Sequence, residues 1–129
     1  MEYIKWSDEL SVDNLIIDKQ HKELFRLIND FYKAIVEKKN EEAIKKAIVD
    51  MENYTRTHFS SEEIMMKNAD HVDLEKHLNE HKAFIDKVRD LKERYNQGRL
   101  ILSLEVTNFI KEWITNHIKV TDQKYKGKI

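Results

Sequence analysis

The sequence has no cysteine and no proline, and its only glycines are Gly98 and Gly127. Without cysteine there can be no disulfide, no thiolate zinc site and no covalently attached haem. Any metal must therefore be held by nitrogen and oxygen. A chain with so few helix breakers, 36% of it charged, reads as helical. Charge of one sign is lacking as well. The net charge is −1 and no basic stripe runs along any segment, so nucleic acid is not an expected partner. The opening Met1-Glu2-Tyr3-Ile4-Lys5-Trp6 is not a signal-peptide start, and no stretch is long and apolar enough to span a membrane. A cytoplasmic protein without a membrane partner is the expectation. At 129 residues the chain suits one domain (1–129) with one core.

What is present is an apolar period of three to four residues, repeated in four blocks. Residues 1–17 mix apolar and polar types and read as an N-terminal arm packed on the domain surface. A first helix is expected over about 18–38, with Asp18 as a possible cap and a stripe of His21, Leu24, Ile28, Phe31 and Ile35. A second helix starts near Asn40, followed by the acids Glu41 and Glu42 that suit a first turn. It aligns Ile44, Ile48, Met51, Thr55, His58, Glu62 and Met65. After a polar break at Asn68-Ala69-Asp70-His71, a third helix aligns Leu74, His77, His81, Phe84, Val88 and Leu91 and stops at Asn96-Gln97-Gly98. The fourth, about 101–121, aligns Leu102, Val106, Phe109, Trp113, His117 and Val120. Residues 123–129 read as a short tail. Four amphipathic helices over 18–122 with short connections predict an all-α, up-down-up-down four-helix bundle.

The histidines set this bundle apart. His58 and Glu62, like His77 and His81, stand four residues apart, so on a helix each pair points to one side, about 40° apart. Five of the six histidines fall on core-facing stripes: His21, His58, His77, His81 and His117. One histidine in a core is an ordinary hydrogen-bonded residue. Five need partners for ten ring nitrogens, which a small bundle does not hold. Glu62 buried without a partner would cost several kcal/mol or stay protonated. Metal ions satisfy all of these groups together. His71 fits no stripe and reads as a surface residue. Asp122 stands five residues after His117, about 140° past a full turn, so an ideal helix does not bring the two together.

These residues, taken in order, resemble the hemerythrin-like family, in particular its single-domain bacterial members, the bacteriohemerythrins. The marks are Trp6, Asp18-Lys19-Gln20-His21, His58-Phe59-x-x-Glu62-Glu63, His77-x-x-x-His81 and Trp113-x-x-x-His117-Ile118-x-x-x-Asp122, covering nearly the whole chain. The resemblance implies a non-haem di-iron site (Fe2+/Fe3+). His77, His81 and His117 would hold one iron, and His21 and His58 the other. Glu62, Asp122 and an oxo or hydroxo group would bridge them. It also implies reversible binding of dioxygen for storage, transport or delivery, with no catalytic residues. The open iron would also accept small anions such as azide, inside a pocket of Leu24, Phe59, Phe84, Trp113, Ile118 and Val120. A monomer is expected. The sequence departs from the family at Asp13-Asn14, where a glycine is common, and at Ala69-Asp70-His71, where a tyrosine–proline corner is frequent. Two other readings use the same residues. One is a di-iron redox sensor or peroxide-consuming enzyme. The other is a zinc peptidase, since His77-Leu78-Asn79-Glu80-His81 matches a short H-x-x-E-H pattern.

Overall fold

Asn14 decides where the first helix begins. Its backbone is extended and its side chain accepts the Ile17 N–H at 3.1 Å, satisfying one of the orphan donors of a helix start. In the computed structural model, which describes residues 4–37, 41–97 and 104–128, α1 therefore spans Leu15–Val36, three residues earlier than the periodicity suggests. The run Leu15-Ile16-Ile17 disguises this start, because only Ile17 is buried and Leu15 is 89% exposed. Asp18 is not the cap. Its carboxylate accepts from Ser11 Oγ at 2.5 Å and from the Val12 N–H at 2.9 Å, tying the arm to α1.

The remaining helices are α2 (Glu41–Asn68), α3 (Leu74–Asn96) and α4 (Leu104–Asn116). The expected starts and stops at Asn40, Gly98 and Leu102 lie outside the described residues, as does the side chain of Val106. Neighbouring helices run antiparallel. His21 on α1 meets His58 on α2, ring centroids 4.6 Å apart, while Ala34 and Ala43 share a groove at the other ends. Glu62 lies 2.6 Å from His77, and further back along α2 the buried Glu52 is held by Lys92 of α3 at 2.7 Å. Phe84 stacks on Trp113 at 4.3 Å, and one turn on, Lys87 lies 5.8 Å from the Phe109 ring. The up-down-up-down expectation matches this order. One end of the bundle is apolar, built on Ile28, Phe31, Ile48, Met51, Val88, Leu91 and Ile110. The other end holds the histidines.

Phe109 is a correction. Expected to face the core, it is 40% exposed, and Thr107, Ile110 and Ile114 face inward instead. Stepping back from His117 by fours drifts about 40° per step, so the second step leaves the core face.

After Asn116 the last helix widens into a π-helical turn, His117–Thr121, closed by the Asp122 N–H on the His117 carbonyl. A turn of 3-10 helix, Asp122–Tyr125, follows. The expected tail is thus structured in part, and Tyr125 is fully buried with Val12, Ile17 and Met66 in a second, smaller core under the arm. Two bonds join the chain ends: Gln123 Nε2 donates to the Leu10 carbonyl at 3.2 Å, and the Gly127 N–H to the Val12 carbonyl at 3.4 Å. Further along the arm, Asn29 clamps the N–H and C=O of Ile4, and Trp6 packs edge-on against Phe25 within the same chain. Asp13 and Asp70 take positive φ (59° and 52°), so both departures from the family pattern include a left-handed aspartate, which tolerates that conformation better than most side chains.

Asp18→Ala should remove both bonds to the arm, lower stability by about 1–3 kcal/mol and speed hydrogen exchange at the Val12 amide. An unchanged Val12 exchange rate would show that Asp18 does not hold the arm.

Candidate metal centre

Each of the four helices sends ligand-type side chains to one volume at the arm end of the bundle. His21 comes from α1, His58 and Glu62 from α2, His77 and His81 from α3, and His117 with Asp122 from the end of α4; all are 5% exposed or less. The i, i+4 pairs on α2 and α3 align as their spacing predicts. Asp122 joins them through the π turn. An i→i+5 turn advances each residue by only roughly 80°, so five residues come close to one full turn. Asp122 Oδ1 thereby lies 3.1 Å from His117 Nε2.

The ligand atoms fall into two groups that share the carboxylates. Glu62, His77, His81, His117 and Asp122 bring one atom each to within 4.8 Å of one another, and so do His21, His58, Glu62 and Asp122. Glu62 Oε1 faces His77 and His81 at 2.6 and 3.1 Å, while its Oε2 faces His58 and His21 at 3.2 and 3.6 Å. Asp122 divides the same way, Oδ1 toward His77 and His117 (2.8 and 3.1 Å) and Oδ2 toward His21 (3.2 Å). Many of these approaches are not aligned hydrogen bonds. Among the described residues, both ring nitrogens of His21 and both oxygens of Asp122 have no hydrogen-bond partner. His81 Nε2 and His117 Nε2 face each other at 3.0 Å. Lone pairs converging on one point, buried and unsatisfied, fit a cation between them.

Two outer ring nitrogens are held from the preceding helix, and a third faces a carboxylate there. His58 Nδ1 donates to Gln20 Oε1 at 2.8 Å, His81 Nδ1 to Glu63 Oε2 at 2.7 Å, and His117 Nδ1 lies 3.5 Å from Glu80 Oε2. The first two bonds turn Nε2 of His58 and His81 inward and fix those rings, as partners of metal-bound histidines do, whereas the Glu80 approach is not an aligned hydrogen bond. Glu80 thus turns one oxygen toward α4 while its side chain stays partly exposed. Tyr125 donates its O–H to Glu62 Oε2 at 2.9 Å. Gln20, Glu63, Glu80 and Tyr125 have no functional role on periodicity alone. A polar residue directly beside a core ligand in the chain is the signal for the first three. For Tyr125, within a sequence read as a tail, there is none.

Of the expected pocket residues, Leu24, Phe59, Phe84 and Ile118 are buried, Phe59 stacks on His81 at 3.7 Å and Trp113 on His117 at 4.7 Å. Val120 is a correction: it is 58% exposed at an opening between α3 and α4, because in the π turn three residues do not bring it back to the face of His117. His71 stays outside the cluster, accepting the Asp73 N–H at its Nδ1.

Burial opposes charge on His21 and His77, but the carboxylates of Asp122 and Glu62 outweigh it and raise both to about 9. Burial lowers His58, in spite of Glu62. Burial works against charge on Glu62 and Asp122 too, and the surrounding imidazoles still hold both below the usual carboxylate range. Burial and the two carboxylates push Tyr125 far up, so it remains a donor. In metal-free protein these raised histidines bind protons that the unfolded chain releases. Their stabilisation is complete below about pH 6.5 and is lost as pH rises through about 9. The urea midpoint of metal-free protein should fall across that interval, and the metal-loaded protein should lack this fall. A metal-free midpoint that rises there would contradict the protonated network.

Comparison with known proteins meets this geometry from the other direction. The profile of the family described as Hemerythrin HHE cation binding domain matches residues 14–129. The bacteriohemerythrin of Pseudomonas aeruginosa (strain LESB58) is 30% identical over 97% of this chain and 80% of its own length. The myohemerythrin of Theromyzon tessulatum is 32% identical over 99% of this chain and 95% of its own. A crystal structure of wild-type hemerythrin superposes with a TM-score of 0.93 at 26% identity, covering 98% of this chain and 97% of that one. With two carboxylates shared between histidine groups at the end of a four-helix bundle, and the family profile matching from the cap of α1 onward, the chain belongs to the hemerythrin family.

Proposed function

We propose that this protein binds dioxygen reversibly at a non-haem di-iron centre held by His21, His58, Glu62, His77, His81, His117 and Asp122. The observation that carries the reading is the division of each carboxylate, one oxygen toward the histidines of α3 and α4 and the other toward those of α1 and α2. This suits two adjacent cations bridged twice, with three imidazoles on one and two on the other. The poorer position keeps room for dioxygen, or for a small anion such as azide. Imidazole and carboxylate suit iron in both oxidation states. Two irons with an oxo or hydroxo bridge would supply two-electron exchange with dioxygen.

The chain's own contribution is placement and exclusion. Gln20 and Glu63 aim His58 and His81 inward, and Tyr125 steadies the Glu62 oxygen on the two-imidazole side. Leu24, Phe59, Phe84 and Ile118 present apolar surface, which keeps water and its protons away from bound oxygen. The names of the relatives, bacteriohemerythrin and myohemerythrin, support a binding protein over an enzyme. So does the ligand balance: the carboxylate-rich di-iron sites of ferritin-like bundles use four glutamates, and here two acids meet five imidazoles. A peptidase would need Glu80 free above the metal, and Glu80 is turned toward His117.

Protein produced with ample iron should contain close to two irons per chain and little zinc. His77→Ala or His117→Ala should lose iron and lower the melting temperature, and His71→Ala should do neither. The anaerobic, reduced protein should take up one dioxygen per pair of irons, with a visible absorption band that appears in air and disappears under vacuum over repeated cycles. Leu24→Ala should keep its iron yet hold oxygen for a shorter time. Rapid oxidation at the first exposure to air, with no oxygen released, would replace the carrier reading with a redox or enzymatic one.

A further inference from the structure

Among the described residues, openings between α2 and α3 and between α3 and α4 touch ligands and a groove between α1 and α2 comes near one, and their charges differ. The groove between α1 and α2 ends on Gln20, behind His58, and is lined by Lys19, Lys22 and Arg26 against one acid, Glu23. The groove between α2 and α3 ends on His81 and carries Arg56, Lys82 and Arg89 against Glu63 and Asp86. The third lies between α3 and α4. It is a cavity of about 290 Å³ lined by Glu80, Trp113, Asn116, His117, Val120 and Thr121, with no lysine or arginine.

Glu80 is placed unusually there. Its side chain is 36% exposed, yet Oε2 is buried, lacks a hydrogen-bond partner among the described residues and lies 3.5 Å from His117 Nδ1. One carboxylate thus spans the distance from solvent to a ring whose other nitrogen faces the cluster. Both grooves carry more cations than acids, although Arg26, Arg56 and Lys82 are paired with carboxylates, and the α3/α4 opening, lined by a carboxylate and no cation, favours a divalent ion over them. A carboxylate is also a ligand that a hydrated ferrous ion accepts before it sheds its water.

We propose that ferrous ion enters the centre through the α3/α4 opening, with Glu80 as a transient ligand that takes the ion from solvent before it moves past the His117 ring to the inward-facing ligand atoms. The proposal rests on the di-iron reading above. It gives the H-x-x-E-H glutamate a part in loading rather than in peptide hydrolysis. It also explains why Val120, beside His117 in sequence, is exposed: it forms the rim of the opening rather than the wall of the pocket.

The test is anaerobic loading of the full, metal-free chain with ferrous sulfate in a stopped-flow instrument. Trp113 is the reporter, since it stacks on His117, and a Trp6→Phe background leaves it the only tryptophan. Glu80→Gln should slow loading about tenfold at low ionic strength, remove most of its salt dependence and reach the same final iron content. Glu80→Asp should retain most of the rate and the salt dependence. Neutralising Lys19 or Arg89 should leave the rate within about twofold, as expected of openings the ion does not use. Loading of Glu80→Gln at the wild-type rate would overturn the proposal. So would a lower final iron content in that variant, which would make Glu80 a positioning residue for His117. If the wild-type chain takes up no iron at all, the di-iron reading fails, whatever Glu80 does.

Discussion

Two carboxylates without access to water set the terms for this protein. Glu62 and Asp122 are both 0% exposed, in a part of the bundle where an uncompensated charge would cost several kcal/mol. The surroundings follow from that constraint. Five imidazoles approach the four carboxylate oxygens, and one phenol closes on Glu62. To bring Asp122 into reach the last helix gives up α geometry for one turn, and the turn after it buries Tyr125. The arm then has to cover that turn, which explains its ties to Asp18, Gln123 and Gly127. The apolar end of the bundle has no such demands and packs by ordinary periodicity.

The outer partners of the ligands follow a rule of construction. Gln20 precedes His21 but bonds His58; Glu63 follows Glu62 but bonds His81; Glu80 precedes His81 but faces His117. A side chain one position from a ligand is rotated about 100° from it, away from the centre and toward the neighbouring helix. In an antiparallel bundle that rotation carries it behind the neighbour's imidazole. Each helix supplies a ligand, α1 and α2 also aim the next helix's ligand, and α3 places Glu80 beside that of α4. Loss of one outer partner would disturb a ring on a different helix, so the four helices are coupled through the centre as well as through apolar contact.

This geometry also explains which features were legible in the sequence. The helix pairs His58/Glu62 and His77/His81 could be read directly, because i, i+4 spacing survives in any straight α-helix. The four-helix class followed from period and from the near absence of breakers. Asp122 could not be read from spacing, since a π turn leaves no compositional mark; only the family resemblance pointed to it. The same turn misplaced Val120, and drift along strict fours misplaced Phe109. Tyr125 was hidden because a one-turn 3-10 helix among lysines resembles a solvated tail. Asp18 looked like a cap because it stands at the start of a periodic stretch, whereas Asn14 holds that position. Apart from Phe109, the errors lie within a few residues of helix ends or beyond the last helix, where hydrogen-bond pattern rather than side-chain period decides direction.

Protons and metal ions are competing solutions to the same electrostatic problem. In the metal-free chain the carboxylates are balanced by protons on the raised histidines, His21 and His77 foremost. A cation held by the same carboxylates and imidazoles would displace those protons, so loading would be a cation-for-proton exchange. Protons on these histidines would offset part of the carboxylate charge in the metal-free chain, and metal would enter through whichever opening favours positive charge. Where that opening lies then matters to function as much as the ligands do, because one route must admit a divalent cation while the apolar side chains around the centre keep out water.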